Sequence, residues 1–190
     1  MSGAIGSLVR KLGLVIGLAI SVSMPAMAQS TDANSNYQDR RAYIVNSAPQ
    51  IELSGFSFKN TFRDRRTRFE TSMSWKNVSQ QPIAAFEIVI LKYDAFNRRL
   101  IGERWTVTGH NSANWLPLPP GSASSDGTIG LGEELVFTGV AYVRAVRMAD
   151  GTVWEVNPTQ LLAELRKTVP GFKDFGRLEP DPKQGKAEGQ

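Results

Sequence analysis

The sequence predicts an all-β domain, a two-layer sandwich followed by one short C-terminal helix. Three stretches carry this expectation. In RFETSMSWKNVS, Phe69, Thr71, Met73 and Trp75 alternate with Glu70, Ser72, Ser74 and Lys76, the pattern of a half-buried strand. In IAAFEIVILKYDAF both faces are partly apolar, with Phe86, Ile88 and Ile90 on one and Ala85, Val89, Leu91 and Tyr93 on the other beside Glu87. Its β-branched content favours a central strand over a helix. RAVRMADGTVWEVNP reads as a strand, a tight turn at Asp150-Gly151 and a returning strand. Such a hairpin is marginal alone and needs a sheet to lie on.

The first residues read as an export signal. Arg10 and Lys11 precede an uncharged, mostly apolar run from Leu12 to Val22, and Ala26-Met27-Ala28 gives a small-x-small cleavage pattern. A spanning helix needs about twenty apolar residues, whereas this run, stretched to Ala28, includes Ser21, Ser23 and Pro25. Residues 1–28 are therefore expected to be removed, which makes the protein periplasmic or secreted. No later segment is long and charge-free enough to be an integral membrane span. Cleavage takes two positive charges from the formal +4, and the nearly balanced remainder argues against a nucleic-acid partner. Cysteine is absent, so stability has to come from core burial without disulfides.

Residues 29–42 are polar and aperiodic and are expected to form a flexible leader, with the sandwich over 43–156. Tyr43–Val45 starts an edge strand that Pro49 interrupts. Ile51, Leu53, Phe56 and Phe58 alternate with a slip at Ser54-Gly55, as at a bulge. NTFRDRRTR is read as a loop, Asp94–Arg98 as a turn, and Leu100–Thr108 as a strand carrying Trp105 and Val107. His110–Asp126, rich in Asn, Pro, Ser and Gly, is read as a long loop, and Thr128-Ile129-Gly130 offers little strand. Leu135–Met148 holds one or two strands, with a bend at Gly139. Strict alternation there groups Tyr142, Arg144, Val146 and Met148 against Val143, Ala145 and Arg147. The Asp150-Gly151 turn asks for positive φ at both positions. Residues 157–169 form the expected amphipathic helix, with Asn157 as cap, Pro158 at the first position and Leu161, Leu162 and Leu165 on one side. Residues 170–190 are read as a disordered tail, of which Phe172, Phe175 and Leu178 are expected to tuck against the same surface as the helix.

Few residues point to chemistry. His110 is the single histidine, so a three-ligand zinc site has no donors once cysteine is missing. No phosphate loop, dinucleotide fingerprint or nucleophile elbow is present, and no cofactor is expected. Glu87 with Glu103 is a conceivable carboxylate pair across neighbouring strands, though Arg104 or Arg147 is an equally good cross-strand partner. Two clusters fit binding better. Arg63, Arg65, Arg66 and Arg68, with Lys59, crowd one short stretch and suit phosphate or carboxylate groups. Trp115 beside Asn114, and Trp105, suit stacking on a sugar face, against the alternative that each ring pins its own segment.

SWKNVSQQPIAAFEIVILKYDAF, PLPPGSAS and AVRMADGTVW together resemble a type of small exported bacterial domain with an immunoglobulin-like or fibronectin-like β-sandwich. The matching positions are Trp75, Asn77, Pro82, Ile83, Tyr93, Asp94, Phe96, Asp150, Gly151, Thr152 and Trp154. The resemblance implies a fold without transferable site residues, since this superfold hosts many functions. The expected function is a non-catalytic binding or envelope-assembly module for an extracytoplasmic protein or anionic glycan. The alternative is a glycan binder or carbohydrate-active enzyme using Trp115, Trp105 and a nearby carboxylate.

Overall fold

The computed structural model describes residues 40–63, 66–109, 116–131, 135–172 and 174–179. The expected signal peptide, Arg65, Asn114 and Trp115 lie outside them. The described chain is all-β with one short helix, arranged as two sheets. One sheet has the order β1 (Arg41–Val45), β7 (Thr138–Met148), β4 (Ile83–Tyr93), β5 (Arg99–Thr108). β8 (Val153–Glu155) also pairs with β7. The other sheet has the order β2 (Ile51–Arg63), β3 (Arg66–Asn77), β6 (Ala123–Leu131).

The two faces of β4 explain the layering. Phe86, Ile88 and Ile90 meet Ile51, Leu53, Phe56, Phe58, Phe69, Met73 and Trp75 in the core between the sheets. Val89, Leu91 and Tyr93 face outward, into a second core closed by Leu161, Leu165 and Val169. The helix α1 (Pro158–Thr168) therefore packs on the outer face of the five-stranded sheet. Asn157 caps it, its side chain accepting from the Thr159 and Gln160 amides. Each fully buried side chain of this kind contributes about 1.5–3 kcal/mol of transfer free energy. That is how the fold holds without covalent ties. The described residues include Arg40–Ala42 before the expected sandwich and 170–172 with 174–179 after the helix, and Arg40, Ala42 and Phe175 among them are buried.

Irregular positions follow from local chemistry. The β2–β3 register shifts between Ser54 and Ser57, and Gly55 takes φ +60, so the slip in alternation is a bulge. Asn77, fully buried, ties the crossover from β3 to β4 to the proline stretch. Its side-chain amide donates to the Gln81 and Leu118 carbonyls, and Leu118 exchanges backbone hydrogen bonds with Ile83. Trp75-x-Asn77, Pro82-Ile83 and Leu118-Pro119-Pro120 thus meet at one corner.

Four sequence expectations are corrected. NTFRDRRTR is no free loop, since β2 and β3 continue pairing from Asn60↔Phe69 to Arg63↔Arg66. The end of the long Ser-rich loop and Thr128–Gly130 form β6, whose pairing with β3 supplies through the backbone what apolar alternation does not. In β7 the register shifts where Glu87 pairs Ala145 and Ile88 pairs Val143, leaving Arg144 as the extra residue. Tyr142 accordingly sits in the outer core, while Val146 and Met148 join Ala141 and Val143 between the sheets. At the hairpin, Gly151 alone has positive φ (+93). Its amide bonds the Met148 carbonyl and the Met148 amide bonds the Thr152 carbonyl, which makes a three-residue loop ending in a left-handed glycine.

Candidate functional site

Three polar arrangements stand out among the described residues. The first joins the two sheets along one edge. Lys92, only 2% exposed, is ion-paired with Glu103, and its ammonium lies 5.2 Å from the centre of the Phe69 ring. The second Glu103 oxygen accepts from Trp105 Nε1 at 2.6 Å and from Thr128 Oγ1 at 3.2 Å. Residues of β4, β5 and β6 thus share one carboxylate. Trp105, partly buried against the core, has its polar end committed here. Glu87 lies on the opposite face, bonded to Arg144 at 2.9 Å. The two glutamates do not face each other, so the carboxylate pair weighed from the sequence is not formed.

The second arrangement is a pole. Lys92 places the end of β4 beside Phe69, and the Phe137 amide donates to the Tyr93 carbonyl at 2.8 Å. The far end of the β2–β3 hairpin, the β4–β5 turn and the entry to β7 therefore gather at one end of the sandwich. Phe96 (78% exposed) and Leu135 (67% exposed) stand there. The Arg98 guanidinium lies 5.2 Å from the Phe96 ring. Asp94 shapes the turn, accepting from the amides of Phe96 (2.8 Å) and Arg98 (2.9 Å) and from Arg98 Nε (2.7 Å). Burial pushes its carboxyl up, but these bonds with Arg98 and Phe96 outweigh it and hold the carboxyl below its ordinary value. Arg63, Arg66 and Arg68 belong to the paired backbone of the neighbouring hairpin end.

The third lies on the outer face of the five-stranded sheet, where linear spacing shows little sign of it. Glu179 is held by two strands: Arg144 Nε donates to Oε1 at 2.8 Å and Arg104 NH2 to Oε2 at 2.9 Å. Arg99 NH2 donates to the Glu179 carbonyl at 3.1 Å, Tyr93 Oη to the Phe175 carbonyl at 2.9 Å, and Tyr142 Oη to the Leu178 carbonyl. The Arg144 hydrogen bond, with its charge and that of Arg104, holds the Glu179 carboxyl below its ordinary value against a smaller opposing effect of burial. Burial pushes the Tyr93 phenol up to about 12 and moves Tyr142 in the same direction. Cross-strand register explains the convergence, because Tyr142, Val89 and Arg104 form one row across β7, β4 and β5. Arg144, two residues past Tyr142, presents its side chain on the same face by ordinary strand alternation. Linear spacing does not show that Arg99, Arg104 and Arg144 meet.

No group of three His, Asp or Glu side chains able to hold a metal ion occurs among the described residues. No helix among them is long and apolar enough to cross a membrane. No family model matches the chain, and no curated protein matches it significantly. Solved structures match weakly. A hypothetical protein of Peptoclostridium difficile 630 aligns at 13% identity over 64% of this chain and 92% of its own, with a TM-score of 0.44. A Northeast Structural Genomics Consortium target aligns at 13% identity over 56% and 80%, with a TM-score of 0.34. A Bordetella pertussis protein provisionally named ApaA aligns at 13% identity over 56% and 87%, with a TM-score of 0.33. These similarities are too low to carry an argument. The chain stands as a two-sheet all-β domain with one short C-terminal helix.

Proposed function

We propose that this protein is an exported, non-catalytic binding module of immunoglobulin-like or fibronectin-like architecture. Its arginine-bearing pole would engage an anionic protein or glycan outside the cytoplasm. Counting from β2, the first, second and fifth strands share one sheet, and the third, fourth, sixth and seventh share the other. That distribution supports the architecture, with the fourth strand placed beside the third rather than in the opposite sheet as in constant-type immunoglobulin domains. The expected export signal supports the compartment.

The observation that carries the binding role is the pairing of the hairpin past the core. Three further residue pairs follow Asn60↔Phe69, ending at Arg63↔Arg66. Arg63 and Arg66 are thereby mounted on a two-stranded ribbon at the end of the sandwich where Phe96 and Leu135 are exposed. Arginine suits carboxylate, sulfate and phosphate through paired planar donors, and an apolar centre ringed by charge is the usual anatomy of a protein-binding patch. The alternative, a glycan site or carbohydrate-active centre at Trp105 and Trp115, has less support, because Trp105 and its neighbouring carboxylate are already bonded to each other.

The test is recovery of partners from envelope extract by the protein lacking residues 1–28, with and without R63A/R65A/R66A. Loss of a specific partner with the triple variant supports the proposal. Unchanged recovery of every partner overturns it.

A further inference from the structure

We propose that the outer face of the five-stranded sheet is a recognition surface for an acidic peptide of a partner protein, and that residues 175–179 are its intramolecular occupant. The inference is independent of the arginine-bearing pole. Its first support is the kind of contact made. Three of the five hydrogen bonds that hold the segment go to main-chain carbonyls, of Phe175, Leu178 and Glu179, and two go to a single carboxylate. Contacts of this kind read main-chain carbonyls plus one acidic side chain, and a peptide that takes the same bent path, with glycine at the left-handed position of Gly176, meets the same donors.

The second support is that the segment does not fill the surface. A cleft of about 210 Å³ opens beside Glu179, lined by the apolar Val156, Pro158, Leu161 and Leu178 together with Tyr142 and the charged Arg144 and Glu155. Its apolar part suits an apolar side chain next to the acidic residue of a longer ligand. Third, the acidic end of the occupant is held exchangeably, although Phe175 anchors the other end in the outer core: Glu179 remains 52% exposed and Arg104 40% exposed, and charge pairs so placed are screened and individually weak. A tethered segment is present at an effective concentration on the order of millimolar, so it masks the face against dilute peptide until its own grip is loosened.

The probe is a fluorescein-labelled peptide with the sequence of residues 171–182, GFKDFGRLEPDP, and its counterpart with Gln in place of the Glu179 equivalent. Binding is followed by anisotropy on the chain lacking residues 1–28, as wild type, as E179Q, and as F175A/L178A/E179A. Both variants leave every sheet donor in place. The Glu peptide is expected to bind F175A/L178A/E179A about tenfold or more tighter than wild type. The Gln peptide should bind that variant about tenfold weaker than the Glu peptide. Adding R104A/R144A should abolish the difference between the two peptides. If the triple variant loses its cooperative melting transition, E179Q decides, with a smaller gain of a few-fold expected from the lost charge pairs. A folded variant that binds the Glu peptide no better than wild type, or no better than it binds the Gln peptide, overturns the proposal.

Discussion

Gly139 offers the sharpest probe of the packing between the sheets. It sits in β7 under two aromatic rings of the opposite sheet. A Cβ added there would stand 2.9 Å from Phe56 Cζ, 2.9 Å from Phe58 Cε1 and 3.2 Å from Phe56 Cε1. Ordinary carbon contacts are about 3.5–4.0 Å, so both rings have to retreat by roughly half an ångström or more. They have little room, being 1% and 4% exposed with centroids 6.0 Å apart. Overpacking of this kind costs about 1–3 kcal/mol. The loss of unfolded-state freedom on replacing glycine by alanine offsets about 0.4–1 kcal/mol of it. G139A should therefore destabilise by about 1–2 kcal/mol. With m of about 1–3 kcal/mol/M, the urea midpoint should fall by roughly 0.5–1 M at unchanged m. F58L in the G139A background removes one obstructing ring edge and should show a coupling of at least about 0.5 kcal/mol in the relieving direction. A G139A variant as stable as wild type would refute the claim that these rings close over β7.

Other outcomes follow from the polar contacts. E103A takes the carboxylate from buried Lys92 and should cost about 3 kcal/mol in urea melts, whereas K92M/E103L should recover most of it. N157A should lose about 1 kcal/mol by removing the helix cap, and Y93F about as much through its bond to the Phe175 carbonyl. The Asp94 and Glu179 carboxyls lie below their ordinary values when folded. Their contribution is thus complete above the unfolded values of about 4 and lost as pH falls through the folded ones. D94N/E179Q should flatten the acid limb of melting temperature against pH below about pH 4. Tyr93, at about 12 when folded, keeps its proton where the unfolded chain has lost it. Its contribution is complete below about pH 10 and lost as pH rises toward its folded value, and Y93F should reduce that alkaline loss.

The strands with an apolar signature were legible in the sequence: the alternation of Phe69, Met73 and Trp75, both faces of β4, and the bulge at Gly55. β6 was not, because Ala123–Leu131 is built of Ser, Thr, Asp and Gly and its pairing is a backbone property. The faces of β7 past Arg144 were misread because Arg144 is one extra residue that shifts the register, and a shift of one flips every later side chain. The Arg99–Arg104–Arg144 convergence depends on the pairing of β4 with β5 and β7 and on a segment eighty residues away in sequence from Arg99. The basic stretch was visible as composition, while its continuation as a paired ribbon required the register of β2 on β3.

The proposed binding role places an anionic partner at the arginine-bearing hairpin end. Retention on an immobilised sulfated glycan, eluted by a salt gradient, compares wild type with R63A/R65A/R66A and with R147A/R166A/K167A, which removes the same charge elsewhere. The hairpin variant should elute at distinctly lower salt than wild type and the matched variant close to wild type. Equal shifts in the two variants, or none in the hairpin variant, would contradict the account.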